Sequence, residues 1–340
     1  MTETRAGDAR PPPELREPRP SPASFALIIP CHNEAGSLRA FMTRLGPVLE
    51  AHADDRFELI FINDGSTDAT LAELVRLRAS DRRITLIDLS RRFGKEAAIT
   101  AGLDYAEADA VIPIDADLQD PPELISSFIE HWRDGYDMVY GLRRSRGADS
   151  PAKRVTAKAF YRTFNQFSET PIPEDAGDFR LMDRRVVDAV NRLPERNRFM
   201  KGLVAWVGFS AIAVAYDRPA RAKGRTKFSF SRLWNFALDG LVGFSAAPIK
   251  IWTYIGLGFA VLALVYAVYL ILRTLLFGVD VPGYASIMVV LLVVSALQMI
   301  SVGVQGEYLG RLFIEAKQRP IYIVRDILKC DDDDEADANG

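Results

Sequence analysis

Short apolar runs punctuate the first 143 residues: FALIIP (25–30), FELIFIND (57–64), ITLIDLS (84–90), AVIPIDAD (110–117) and DMVYGL (137–142). Between them lie segments such as LAELVRLRA, whose apolar residues recur every three or four positions. Continuous apolar runs predict strands buried on both faces, and the intervening periodicity predicts amphipathic helices that cover them. The alternation is that of an α/β fold with a mostly parallel sheet and helices on both faces. Ligands of such sheets collect beyond the carboxyl ends of the strands. Asn33 and Glu34 follow the first run, Asp64 closes the second, and Asp115 and Asp117 close the fourth. Several strands thus aim polar groups at one edge.

The pattern changes after residue 227. Residues 228–250 repeat apolar positions at helical spacing with few charges, which predicts an amphipathic helix in a membrane interface. Two long apolar segments follow, 251–277 and 284–306, each long enough to cross about 30 Å of hydrocarbon. The linker GVDVPG is too short for a domain, so the pair predicts a transmembrane hairpin over 251–306. Arg232 and Lys250 precede it, Arg311, Lys317 and Arg319 follow it, and the linker has no Lys or Arg. That asymmetry predicts both termini, and the domain at 25–227, on the cytoplasmic face of an inner or plasma membrane. Gly256 and Gly258 allow close helix packing, which leaves association of copies through the hairpin open.

The ends of the chain read differently. Residues 1–24 are rich in Pro, Arg and Glu without an apolar run, as a disordered tail would be and a signal peptide would not. Residues 307–329 read as a cytoplasmic segment, and 330–340 as an acidic disordered tail. The net charge of −3 gives no ground for nucleic acid as a partner. Cys31 and Cys330 are too few and too far apart for a disulfide framework or a zinc site.

The chemistry concentrates in PIDADLQDPPE (113–123). Asp115 and Asp117 are two apart, so on a strand they would share a face. Two carboxylates held together repel unless a cation lies between them. Asp120 has a structural use, as cap of a helix that Pro121 begins. No G-x-G-x-x-G follows a strand and no G-x-x-x-x-G-K-[ST] occurs, which argues against a dinucleotide dehydrogenase and a P-loop enzyme.

ALIIPCHNEAGSL, FINDGSTDAT, LSRRFGKEAAITAGL and PIDADLQDPPE together resemble family 2 glycosyltransferases of the GT-A fold. Within that family the likeness is to the polyprenyl-phosphate glycosyltransferases, over roughly residues 25–325 and including a C-terminal hairpin. The resemblance implies a nucleotide-sugar donor, a UDP-sugar first, with Pro30, Asn33, Glu34, Asp64 and Asp115 on the nucleotide. It implies Mg²⁺ or Mn²⁺ held by Asp117 and Gln119 at the family's D-x-D. Arg143, Lys153 and Arg154 would bind the phosphate of a polyprenyl phosphate acceptor, with Arg225 and Lys227 in a basic loop. Asp178 stands where related enzymes keep an active-site acid, to orient sugar hydroxyls or act as base beside Asp115 and Asp117.

The acceptor phosphate has a second pKa near ~6 and is itself nucleophilic, so no Ser-His-Asp relay is required. The resemblance also implies inversion at the anomeric carbon. Glucose from UDP-glucose is the first expectation. The same reaction from GDP-mannose or a UDP-aminopentose, and a non-catalytic scaffold or flippase partner, stay open. A processive polysaccharide synthase would want a Q-x-x-R-W motif, which the chain lacks.

Overall fold

A computed structural model describes residues 17–19, 21–143, 176–196, 198–216, 247–277 and 283–329. The described chain falls into two units. One holds the sheet and takes in residues 320–329, and the other holds two long helices.

The first unit begins β1 (Ser24–Cys31), α1 (Leu38–Glu50), β2 (Arg56–Asn63), α2 (Thr70–Ser80), β3 (Ile84–Leu89), α3 (Lys95–Tyr105) and β4 (Ala110–Pro113). It continues with α4 (Leu124–Arg133), β5 (Met138–Arg143), β6 (Ala176–Asp183), α5 (Arg184–Asn191), α6 (Met200–Trp206) and β7 (Ala211–Tyr216). The strand β8 (Val324–Leu328) completes it after the helical unit. The sheet order is β7-β5-β6-β4-β1-β2-β3-β8.

The four central strands, β4-β1-β2-β3, run parallel, as their apolar runs require. Phe25, Leu27, Ile29, Leu59 and Phe61 have no solvent exposure. Burying each such side chain contributes about 1.5–3 kcal/mol. On one face Phe25 stacks near Phe57 and meets the edge of Trp132 from α4. On the other, Gly102 of α3 lies so close to β1 that a Cβ there would stand 2.4 Å from a methyl of Ile28.

The expected mostly parallel sheet is present, and its flanks add antiparallel strands that the apolar runs do not specify. The run at 137–142 does form β5, but β5 does not neighbour β4. The antiparallel strand β6 is inserted between them, and β8 adds antiparallel to β3 at the far edge, so the sheet is mixed. Pairing is chosen by long-range packing, which an apolar run does not encode. The run 110–117 is also shorter as a strand than expected. β4 ends at Pro113, and Asp115 and Asp117 lie in the loop beyond, where Leu118 has a left-handed φ of 58°. Asp120 does not cap a helix at Pro121. The helix begins later, at Leu124, and the buried Asp120 instead accepts a hydrogen bond from the Tyr216 hydroxyl of β7.

Arg19, placed by composition in the N-terminal tail, is fixed. Its guanidinium donates to the Tyr136 carbonyl at 2.8 Å, pairs with Asp137 and Asp183 at 3.0 Å each, and lies 4.8 Å from the Trp132 ring centroid.

The second unit contains α7 (Ala247–Phe277) and α8 (Tyr284–Ala316), of 31 and 33 residues. α7 starts four residues before the expected span and α8 runs ten beyond it. The extension of α8 carries the Glu307–Arg311 pair at 2.9 Å. The side chains at a number of positions in both helices lie outside the described residues, and among the residues whose side chains are described no helix is long and apolar enough to cross a membrane.

Candidate active site

The carboxyl ends of β1, β2 and β4 meet at one edge of the sheet. Pro30, Cys31, His32, Glu34, Asp64, Arg92, Lys95, Asp115, Ala116 and Asp117 line a cleft there of about 190 Å³. The convergence read from the sequence is therefore realised for Glu34, Asp64, Asp115 and Asp117, with Pro30 beside them, while Asn33 is not among the residues lining the cleft.

Each polar group is held by the loop that follows its strand. Asn33 takes a left-handed φ of 59°, and its side-chain oxygen accepts from the Thr67 amide at 2.8 Å. Its own amide donates to Ser66 Oγ at 3.1 Å, so the loops after β1 and β2 are laced together. The Glu34 amide donates to Thr70 Oγ1, and a Glu34 carboxylate oxygen accepts from Ser37 Oγ at 2.7 Å. Asp68 accepts from the Thr70 amide at 3.0 Å and from the Thr70 hydroxyl at the start of α2.

Asp64 is buried, and its carboxylate accepts from the Phe93 amide at 2.6 Å and the Gly94 amide at 3.0 Å. This ties the end of β2 to the loop before α3. The next residue must be glycine. Gly65 has φ +56°, and a Cβ there would lie 2.4 Å from the Arg92 amide nitrogen. Asp64 thus does structural work in the cleft wall besides facing the cleft.

Beside this lies a cluster of charges. Lys95 Nζ, at the first position of α3, donates to Asp115 Oδ2 at 2.7 Å and Asp178 Oδ2 at 3.0 Å. Lys201 Nζ of α6 is 3.6 Å from the other Asp178 oxygen. The inserted β6 is what brings Asp178 here. It pairs Val111 with Met182 antiparallel, so the residues earlier in β6 run towards the end of β4 from which Asp115 follows.

The electrostatics follow from burial and neighbours. Burial and the nearby acids raise the pKa of Asp115, against the pull of Lys95. Asp178 is held well below the usual carboxylate range, because Lys95, Lys201 and Arg180 outweigh its desolvation. Burial opposes the charge on Lys95, but Asp115 and Asp178 more than offset that and raise its pKa. Burial, assisted by Asp117 and Asp115, raises Glu34. Burial raises Glu96 to about 7, with Asp178 adding to it.

A divalent cation was expected at Asp117 and Gln119. The Asp117 carboxylate accepts from both the amide and the side-chain nitrogen of Gln119. Turning the Gln119 carboxamide over would present its oxygen instead. Among the described residues no three acids, histidines or cysteines gather as a metal cage. One carboxylate and a carboxamide do fit Mg²⁺ or Mn²⁺ if the remaining ligands come from a diphosphate and water, since Mg²⁺ is commonly held by one or two carboxylates plus substrate phosphates.

Residues 26–190 match the description Glycosyl transferase family 2, and residues 247–312 match GtrB C-terminal hairpin. An uncharacterized glycosyltransferase of Synechocystis sp. is 52% identical over 89% of this chain and 95% of its own. The chain belongs to glycosyl transferase family 2. It is an enzyme of that class, a glycosyltransferase with a GT-A-type sheet and a C-terminal hairpin region. The transferase is also 46% identical to the prophage bactoprenol glucosyl transferase homolog of Escherichia coli K12, over 90% of this chain and 99% of that one. Among solved structures, glucosyl-3-phosphoglycerate synthase from Mycobacterium tuberculosis, solved with Mn²⁺, UDP-glucose and phosphoglyceric acid, covers 64% of this chain and 76% of its own. Its identity is 17% and its TM-score 0.43, too slight to bear on chemistry.

Of the residues expected at an acceptor phosphate, Lys153, Arg154, Arg225 and Lys227 lie outside the described residues, as do 228–246 of the expected interfacial helix. Arg143 ends β5, level with Tyr216 of β7. Sequence reasoning did not find Glu96 or Lys201. For Lys95 the sequence is compatible with either a phosphate contact near a helix start or a solvated loop side chain. The signal available was GKE, a Lys-Glu pair opening a helix after a glycine, but its partners are distant in sequence.

Proposed function

We infer that this transferase moves one sugar, glucose from UDP-glucose, onto a polyprenyl phosphate at a membrane surface, with inversion. The observation that carries the reading is the acid-lined cleft at the ends of β1, β2 and β4, where Glu34, Asp115 and Asp117 face Arg92 and Lys95. Carboxylates suit ribose hydroxyls and base N–H groups, and the two cations suit a diphosphate. The name of the Escherichia coli relative supports glucose and bactoprenol as donor sugar and acceptor class.

Asp117 and Gln119 would hold Mg²⁺ or Mn²⁺, whose charge would neutralise the departing nucleoside diphosphate. Asp115 faces the nucleotide. Asp178, paired with Lys95 and Lys201, accepts hydrogen bonds from sugar hydroxyls. The acceptor phosphate is already anionic at neutral pH. Arg143, Lys153, Arg154, Arg225 and Lys227 form the acceptor's phosphate site.

The hairpin crosses the bilayer twice, with the transferase domain cytoplasmic. α7 and α8 would be about 46 and 50 Å long at 1.5 Å per residue, enough for the hydrocarbon layer with the charged end of α8 emerging from it. Two crossings return the chain to the face it left, and β8 belongs to the same sheet as β1.

The test offers labelled UDP-glucose, GDP-mannose and a UDP-aminopentose separately to the detergent-solubilised full chain with undecaprenyl phosphate and Mg²⁺ or Mn²⁺. Label entering the organic phase from UDP-glucose, and stopped by EDTA, is expected. Transfer from another donor alone would replace the sugar. No transfer from any, by folded protein, would overturn the reading.

A further inference from the structure

The strand that follows the hairpin is wired to the donor cleft. β8 pairs with β3 from Leu86↔Leu328 to Leu89↔Val324, with an irregularity between Asp88 and Leu89. Past that irregularity the Ser90 amide donates to the Ile323 carbonyl at 2.9 Å. Arg325 closes the junction. Its Nη2 donates to the Ser90 carbonyl at 2.7 Å and its Nη1 to Asp88 Oδ2 at 3.2 Å.

Both partners lead into the cleft wall. Ser90 begins the loop whose Phe93 and Gly94 amides hold the buried Asp64 carboxylate, and which carries Arg92 and leads into α3 at Lys95. The other oxygen of the buried Asp88 accepts from Asn63 Nδ2 at 2.7 Å. Asn63 Oδ1 in turn accepts from the Ser66 amide, and Ser66 Oγ accepts from the Asn33 amide. One guanidinium therefore bonds to the two routes that set the loops after β1, β2 and β3. No such contact is needed merely to hold the sheet edge, where the backbone ladder and Tyr322, bonded to Asp104 at 2.8 Å, already fasten the segment.

We propose that Arg325 is a positioning residue for donor binding, and that β8 acts as a clasp that holds the Ser90–Gly94 loop against Asp64. The chain must pass through the whole hairpin before this residue is made, so a donor-competent cleft depends on the segment that follows the membrane anchor. The proposal rests on the reading of this cleft as the donor's.

The test uses the full chain in detergent with Arg325→Ala, Arg325→Lys and, as control, Arg76→Ala, which removes an exposed pair with Glu73. Loss of a charge-assisted contact of this kind should raise the KM for the nucleotide sugar about tenfold with kcat changed less than about twofold. Lysine should restore part of the loss through its charge, and Arg76→Ala should change nothing. Independently of any donor, hydrogen exchange at residues 90–94 should quicken in Arg325→Ala while exchange across β1 and β2 stays slow. Unchanged exchange at 90–94 with unchanged KM would overturn the proposal, as would exchange quickening throughout the sheet. Faster local exchange in a protein whose wild type binds no nucleotide sugar would leave the clasp standing and remove the donor assignment.

Discussion

Lys95 Nζ stands 2.7 Å from Asp115 Oδ2, inside the cleft at the end of β4. The same ammonium reaches Asp178 at 3.0 Å, so one cation neutralises two carboxylates delivered by antiparallel neighbours. Removing it should leave the acids repelling each other and the cleft without one of its two lining cations. Lys95→Ala is expected to lower sugar transfer about 10²-fold, the scale of losing a preorganised charge contact, with Lys95→Arg retaining part of the rate. A full rate in Lys95→Ala would show that the pairing is only structural.

Asp117 and Gln119 offer the oxygen donors of the proposed metal site. Asp117→Asn should reduce transfer by about 10²-fold or more, and raising Mg²⁺ or Mn²⁺ should recover little of it. EDTA should abolish wild-type transfer, and excess divalent cation should restore it. A rate indifferent to EDTA would remove the metal from this reaction.

Glu96 gives the stability a pH dependence. Its pKa is raised from 4.5 to about 7 by burial, and one of its oxygens has no hydrogen-bond partner. Because the folded value lies above the unfolded one, the stabilising contribution is complete below pH 4.5. It is lost as pH rises through about 7. The loss amounts to about 3 kcal/mol at most. Melting temperature measured from pH 5 to 8 should therefore fall more steeply in the wild type than in Glu96→Gln. Parallel profiles would contradict the assignment.

Tyr216 gives its hydroxyl hydrogen to the buried Asp120, joining β7 to the loop that carries Asp117. Tyr216→Phe removes the donor and leaves the carboxylate buried, at a cost of about 1–3 kcal/mol. Chemical denaturation should show the midpoint moving down with an unchanged slope. An unmoved midpoint would mean that water replaces the hydroxyl.

Parts of this site were legible in the chain itself. Glu34, Asp64, Asp115 and Asp117 each follow an apolar run, and strands of a parallel sheet end on one edge, so their convergence needed no coordinates. The mistaken use of Asp120 shows the limit of local chemistry. An acid before two prolines is a good helix cap, but a tyrosine hydroxyl from an edge strand gained the carboxylate instead.

What the sequence alone determined was the family, the central strands, the helices between them and the acids at their tips, because burial and periodicity act through neighbours in the chain. Tertiary structure decided the rest. It inserted β6 antiparallel so that Asp178 meets Asp115, set Lys95 between them, and returned β8 to the edge of β3. Strand partners and charge pairs of this kind are selected by packing over long sequence separations, and the local pattern of a strand is the same whichever neighbour it finds.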